Sequence, residues 1–153
     1  MLTDLIKKEN ITVSVEAGDW EDAIEKSAQS LIRDGSIEPR YVMGMIQAVK
    51  DLGPYIAVAP GMAIAHARPE SGVIRTGIAL TTLKTPVPFG SRDNDPIQLV
   101  ITLAAEDHDA HLNAMGDLVD VLSDPARVQG ILDAETADEI YTYLIADKGA
   151  GER

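Results

Sequence analysis

No cysteine occurs among the 153 residues, which excludes disulfides, thiolate metal sites and cysteine nucleophiles on this chain. Basic residues are few: 13 Lys and Arg stand against 25 Asp and Glu, for a formal net charge of −12. Such a surface repels a phosphate backbone, so nucleic acid is not an expected partner. A negatively charged substrate must then be captured by a local arrangement, without help from bulk charge. Long hydrophobic runs are also missing. Met1 to Lys8 hold no apolar core of signal-peptide length, and no later stretch approaches a membrane span. The expectation is a soluble, cytoplasmic protein without direct membrane insertion. There is no internal repeat, low-complexity run or internal Gly/Ser linker, so one domain over 1–147 is expected, with a frayed tail at 148–153.

Several motifs are absent too. The chain has no HExxH element, no GxGxxG turn and no GxSxG elbow. Lys84-Thr85 follows Gly77, but Leu83 stands where a phosphate loop needs its second glycine.

What is present reads as alternating strands and helices. Thr12 to Val15 alternates like a half-buried strand. Asp19 caps a helix whose apolar positions are Trp20, Ala23, Ile24, Ala28, Leu31 and Ile32, and Gly35 ends it. A second helix starts at Pro39, carries Tyr41, Val42, Met45, Ile46 and Val49, and stops at Gly53-Pro54. Tyr55 to Val58 and Met62 to His66 read as short strands about the Pro60-Gly61 turn. Ile74 to Leu83 reads as another, with Pro86, Pro88 and Gly90 marking a loop after it. Ile97 to Ala105 is almost continuously apolar, as a strand covered on both faces would be. Asp107 or Asp109 then caps a helix with Leu112, Met115, Val119 and Leu122 as its apolar positions. Asp124-Pro125 opens a shorter helix, and Thr136 with Glu139 forms a capping box before the last one. The pattern implies an α/β three-layer sandwich, its sheet flanked by helices on both faces, with the site in loops at strand ends.

The candidate chemistry lies in Val58 to Glu70. His66 ends an apolar run and Arg68 follows two residues later, so an extended chain places both on one face. Pro69 keeps Arg68 out of the helical region. The other two histidines, His108 and His111, open the helix after the most buried strand, where unpaired N–H groups favour a phosphate. Two imidazoles would flank one anion-binding pocket if the loop after His66 folds beside that helix. Each of these residues also has an ordinary reading: a satisfied histidine at a strand end, polar residues in a first helical turn, a solvated cation. A metal site built on His108 and His111 with Glu106, Asp107 and Asp109 is a further alternative, but acidic residues at a helix start are better explained as caps, and no metal is assigned. Phosphoryl transfer by a neutral histidine needs in-line placement and donors to three oxygens. His66 as nucleophile, His111 as partner, and Lys50 and Arg68 as cations meet that list.

The run Gly61-Met62-Ala63-Ile64-Ala65-His66 resembles the phosphorylation motif of the mannitol/fructose type of enzyme IIA in the bacterial sugar phosphotransferase system. Leu99 to Ala105, followed by His111-Leu112 and Leu118, is similar to that family's second motif. Gly53-Pro54-Tyr55-Ile56, Ala59-Pro60-Gly61 and His66-Ala67-Arg68-Pro69-Glu70 look most like the ascorbate branch. The resemblance spans nearly the whole chain and implies a mixed sheet between helical layers. It also implies that His66 takes a phosphoryl group from the phosphocarrier HPr and passes it to a cysteine of a separate enzyme IIB, which serves a membrane IIC permease. His111 matches the second histidine, which assists the phosphoryl group. Lys50 falls where mannitol-type members carry arginine, with Arg68 as the candidate substitute, and Ala65 stands where many have proline. The expected function is that of a cytoplasmic phosphocarrier in sugar uptake. The alternatives are a regulatory protein using the same histidine, or a binding module without transfer.

Overall fold

The computed structural model describes residues 2–145; the expected tail at 148–153 lies outside them. Five strands form one sheet in the order β1-β4-β5-β3-β2, where β1 is Ile11–Val15, β2 Ala57–Ala59, β3 Met62–Ala65, β4 Gly77–Val87 and β5 Ile97–Ala104. β1 runs parallel to β4 and β3 parallel to β5, while β4 and β5 are antiparallel, as are β2 and β3. The sheet is therefore mixed.

Helices cover both faces. On one lie α1 (Trp20–Arg33) and α2 (Arg40–Leu52), packing Ile24, Leu31, Met45 and Val49 against Ala63, Ala65, Ala79 and Ala104 of the strands. The small strand side chains let these helices sit close to the sheet. On the other lie α3 (His108–Leu122), α4 (Pro125–Asp133) and α5 (Ala137–Ile145), with Leu118, Ile131 and Ile140 over Ile64, Leu80, Leu99 and Ile101. Period-2 alternation thus buries β5 on both sides, which is why its sequence shows no polar stripe.

The helix starts follow the sequence. Asp19 accepts from the Asp22 N–H at 2.8 Å, Asp107 from the Ala110 N–H at 2.8 Å, and Thr136 Oγ1 from the Glu139 N–H at 3.2 Å. Gly35 and Gly53 end α1 and α2 with φ of 81° and 88°, where a side chain would be strained.

Three expectations need correction. β4 begins three residues later than the apolar run, because the Ile74 and Arg75 N–H groups bond the Ser36 carbonyl and that of Thr76 bonds the Glu106 carboxylate. It also continues through Pro86, which sits on an exposed segment where the pairing with β5 shifts register and no ladder donor is lost. Tyr55 and Ile56 lie in a turn before β2, since the Tyr55 and Ala57 N–H groups bond the Gly53 and Pro54 carbonyls. On α3 the buried face is Ala114, Leu118 and Val121, whereas Leu112 and Val119 are exposed. The stripe with Met115 and Leu122 borders Val58 and Met62 in an apolar groove at the sheet edge. Helical spacing found a real stripe, but contact with the sheet chose its neighbour for burial.

Candidate active site

Because β3 and β5 are adjacent and parallel, their C-terminal ends lie side by side. His66 is the first residue after β3, and β5 leads through Asp107 into the first turn of α3, which carries His111. Two imidazoles 45 positions apart in sequence therefore meet, with ring centroids 5.3 Å apart and planes at 52°. Binding at the carboxyl ends of strands is the usual arrangement in α/β sheets.

The His66 ring is fixed from two sides. Its Nδ1 lies 2.8 Å from the Ile64 carbonyl oxygen, which can only accept, so Nδ1 carries the proton and Nε2 keeps its lone pair. The Tyr55 ring stands edge-on at 5.3 Å and 88°, and its hydroxyl donates to the His66 carbonyl at 3.3 Å. Burial raises the pKa of this tyrosine, keeping it protonated. The half-buried ring opens onto a cavity of about 380 Å³ that His108, His111, Arg68, Asp107 and Tyr55 also line. That volume suits a small polar group or the tip of a protein partner.

Charge in the cavity is sparse. Arg68, exposed at its rim, is the cation among the lining residues. His111 is held below its ordinary pKa of 6.5, first by burial and then by repulsion from His66 and His108. At neutral pH it is therefore an uncharged imidazole with one N–H to offer. The Asp107 carboxylate is occupied as the cap of α3. Among the described residues no three His, Cys, Asp or Glu side chains are grouped to hold a metal ion.

The structure thus brings together His66, His111 and Arg68 but not Lys50. On α2 the cavity is faced by Ala48 and Leu52, four residues apart and on one side of the helix. Lys50, two positions round, points away, and its Nζ lies 3.4 Å from the Glu21 carboxylate of α1. His108, to which the resemblance assigns no role, also lines the cavity. Tyr55 is not a candidate site residue by sequence, because its position beside His66 follows from the β2–β3 pairing.

Residues 4–147 match the family model described as phosphoenolpyruvate-dependent sugar phosphotransferase system, EIIA 2. An ascorbate-specific PTS system EIIA component of Salmonella typhimurium is 36% identical over 141 residues, 92% of each chain. The solution structure of the mannitol-specific cryptic phosphotransferase enzyme IIA CmtB of Escherichia coli superposes with a TM-score of 0.85 at 34% identity, covering 94% of this chain and 97% of that one. The enzyme IIA in the E. coli mannitol complex with phosphorylated enzyme IIB gives 0.81 at 28% identity, covering 92% and 98%. With the fold, a pair of facing imidazoles and a family match over nearly the whole length all in agreement, this chain belongs to the EIIA type 2 family of the phosphoenolpyruvate-dependent sugar phosphotransferase system and is a phosphotransferase component.

Proposed function

We propose that His66 is the residue that carries the phosphoryl group, received from phospho-HPr and handed to a cysteine of a separate enzyme IIB during sugar uptake in the cytoplasm. The observation that carries this reading is the His66 Nδ1 contact with the Ile64 carbonyl, which commits one ring nitrogen as donor and leaves Nε2 nucleophilic toward the cavity. In the first step the Nε2 lone pair attacks phosphorus, and the bond to the donor's ring nitrogen breaks with its electron pair staying on the donor. In the second, a partner thiolate attacks the same phosphorus and the P–Nε2 pair returns to His66. The Nδ1–H bond to Ile64 stabilises the positive character the ring gains on phosphorylation.

His111 and Arg68 supply N–H donors to the phosphoryl oxygens. The Arg68 charge also offsets the repulsion that a chain of net charge −12 exerts on an incoming phosphate. No cysteine occurs among these 153 residues, so a cysteine acceptor lies outside them. The mannitol complex with phosphorylated enzyme IIB supports a partner of that kind. Among sugars, ascorbate is the substrate we favour, because relatives matched over 92% of the chain carry that name.

The test is transfer of labelled phosphate from phosphoenolpyruvate through enzyme I and HPr. Wild type takes up acid-labile label, His66→Ala takes none, and His111→Ala takes it up but releases it slowly to enzyme IIB. Label on His66→Ala, or none on wild type, refutes the assignment.

A further inference from the structure

β3 and β5 pair with Ala63 opposite Val100, Ile64 opposite Ile101 and Ala65 opposite Thr102. Successive backbone groups of a strand point to opposite neighbours. The Gly61 carbonyl accepts from the Leu99 N–H at 3.0 Å on the β5 side, whereas the Ile64 N–H turns the other way to the Ile56 carbonyl at 2.9 Å. Odd-numbered residues of this segment therefore bond toward β5. Continued for two residues, the register would bring the Ala67 N–H onto the Leu103 carbonyl.

That bond is replaced. The Ala67 N–H donates to the Tyr41 hydroxyl at 2.9 Å, and the same hydroxyl lies 2.9 Å from the Leu103 carbonyl, the nearer of its two carbonyl acceptors, with the Ala67 carbonyl at 3.2 Å. One hydroxyl from α2 sits where a ladder bond would close. A two-bond relay through an oxygen holds the backbone N and O roughly 5 Å apart, against about 2.9 Å for a direct bond. Beyond this point the segment from β3 goes to Arg68 and that from β5 goes to Asp107 and α3, with the cavity between them.

Tyr41 is well held for this task. Its side chain is fully buried in the α1–α2 core, and the 68–72 segment packs closely on it: a Cβ built on Gly72 would lie 3.2 Å from Tyr41 Cβ. Burial pushes the pKa of the hydroxyl up to about 12, so it always has a proton to donate.

We propose that Tyr41 is a positioning residue: its hydroxyl, wedged between Ala67 N–H and Leu103 O, keeps β3 and β5 parted at their C-terminal ends and thereby sets the gap between His66 and His111. Its effect on catalysis rests on the phosphocarrier reading; its geometry does not. Tyr41→Phe keeps the ring and deletes the relay. The two backbone groups are then either left unpaired or joined directly, and either result moves His66, the neighbour of Ala67.

The experiment compares wild type and Tyr41→Phe by NMR and by phosphoryl transfer from phospho-HPr. The expected variant is folded, with the His66 and His111 ring signals displaced and the exchange protection of the Ala67 amide changed by about tenfold or more, one hydrogen-bond's worth. Its kcat falls about 10- to 100-fold, as expected for a sub-ångström to 1 Å misplacement, while KM for phospho-HPr stays within about twofold. Unchanged ring signals and Ala67 protection overturn the proposal, as does a kcat at the wild-type level in an active system. If wild type takes no phosphate, the carrier reading fails and the ring and amide signals alone judge the wedge. If Tyr41→Phe does not fold, the wild-type hydroxyl proton decides: a slowly exchanging Tyr41 resonance with a nuclear Overhauser effect to the Ala67 amide supports the wedge, and its absence overturns it.

Discussion

Phosphorylation of His66 should change the charge state of His111, and the size of that change follows from their separation. In the free protein His111 titrates below 6.5, because burial and two neighbouring imidazoles all oppose its protonation. At a separation of 5.3 Å, one negative charge on the His66 ring would favour the His111 imidazolium by about 3 kcal/mol at an effective dielectric near 20. The cavity is open to water, which reduces this by roughly half, to about one pK unit per charge. A phosphoryl group carrying between one and two charges should therefore raise the His111 pKa by about 1–2 units. The protonated fraction of His111 at pH 7 therefore rises when His66 is phosphorylated. The assay is an NMR titration of the imidazole Hε1 signals before and after phosphorylation by enzyme I, HPr and phosphoenolpyruvate. A His111 midpoint above 6.5 in the free protein would contradict the burial argument. A midpoint unmoved or lowered by phosphorylation would show that the two rings do not share the phosphoryl group.

Three other outcomes follow. Arg68→Ala should slow phosphoryl acceptance about tenfold or more through loss of a charged donor, whereas Lys50→Ala, which breaks an exposed pair with Glu21, should leave the rate within about twofold; the reverse order in stopped-flow or quench assays would reinstate Lys50. Asp19→Ala removes the cap of α1 far from the cavity and should cost about 0.5–2 kcal/mol in a urea melt while transfer stays unchanged. Leu118→Ala, in the fully buried layer between α3 and the sheet, should cost about 2–5 kcal/mol and lower the melting temperature by several degrees; a loss under about 1 kcal/mol would place that side chain outside the core.

The sequence by itself determined what depends on neighbours a few positions away. Asp19, Asp124 and Thr136 mark helix starts because a cap bonds N–H groups two or three residues on, while for α3 the sequence left Asp107 or Asp109 and the structure chose Asp107. The unbroken apolar run of β5 announces helices on both faces, and His66 at the end of a short apolar strand already stands out as a candidate. What only the tertiary structure decided depends on strand order and helix rotation. Pairing β3 with β5 brings His111 to His66, and the rotation of α2 admits Ala48 and Leu52 to the cavity while sending Lys50 to Glu21. The same holds for Tyr41, which reads in sequence as one more apolar position of α2. Its hydroxyl acquires a task only because two strand ends from elsewhere in the chain part around it. Local spacing fixes which groups a residue can reach within its own element; long-range register fixes which groups from other elements arrive to meet it.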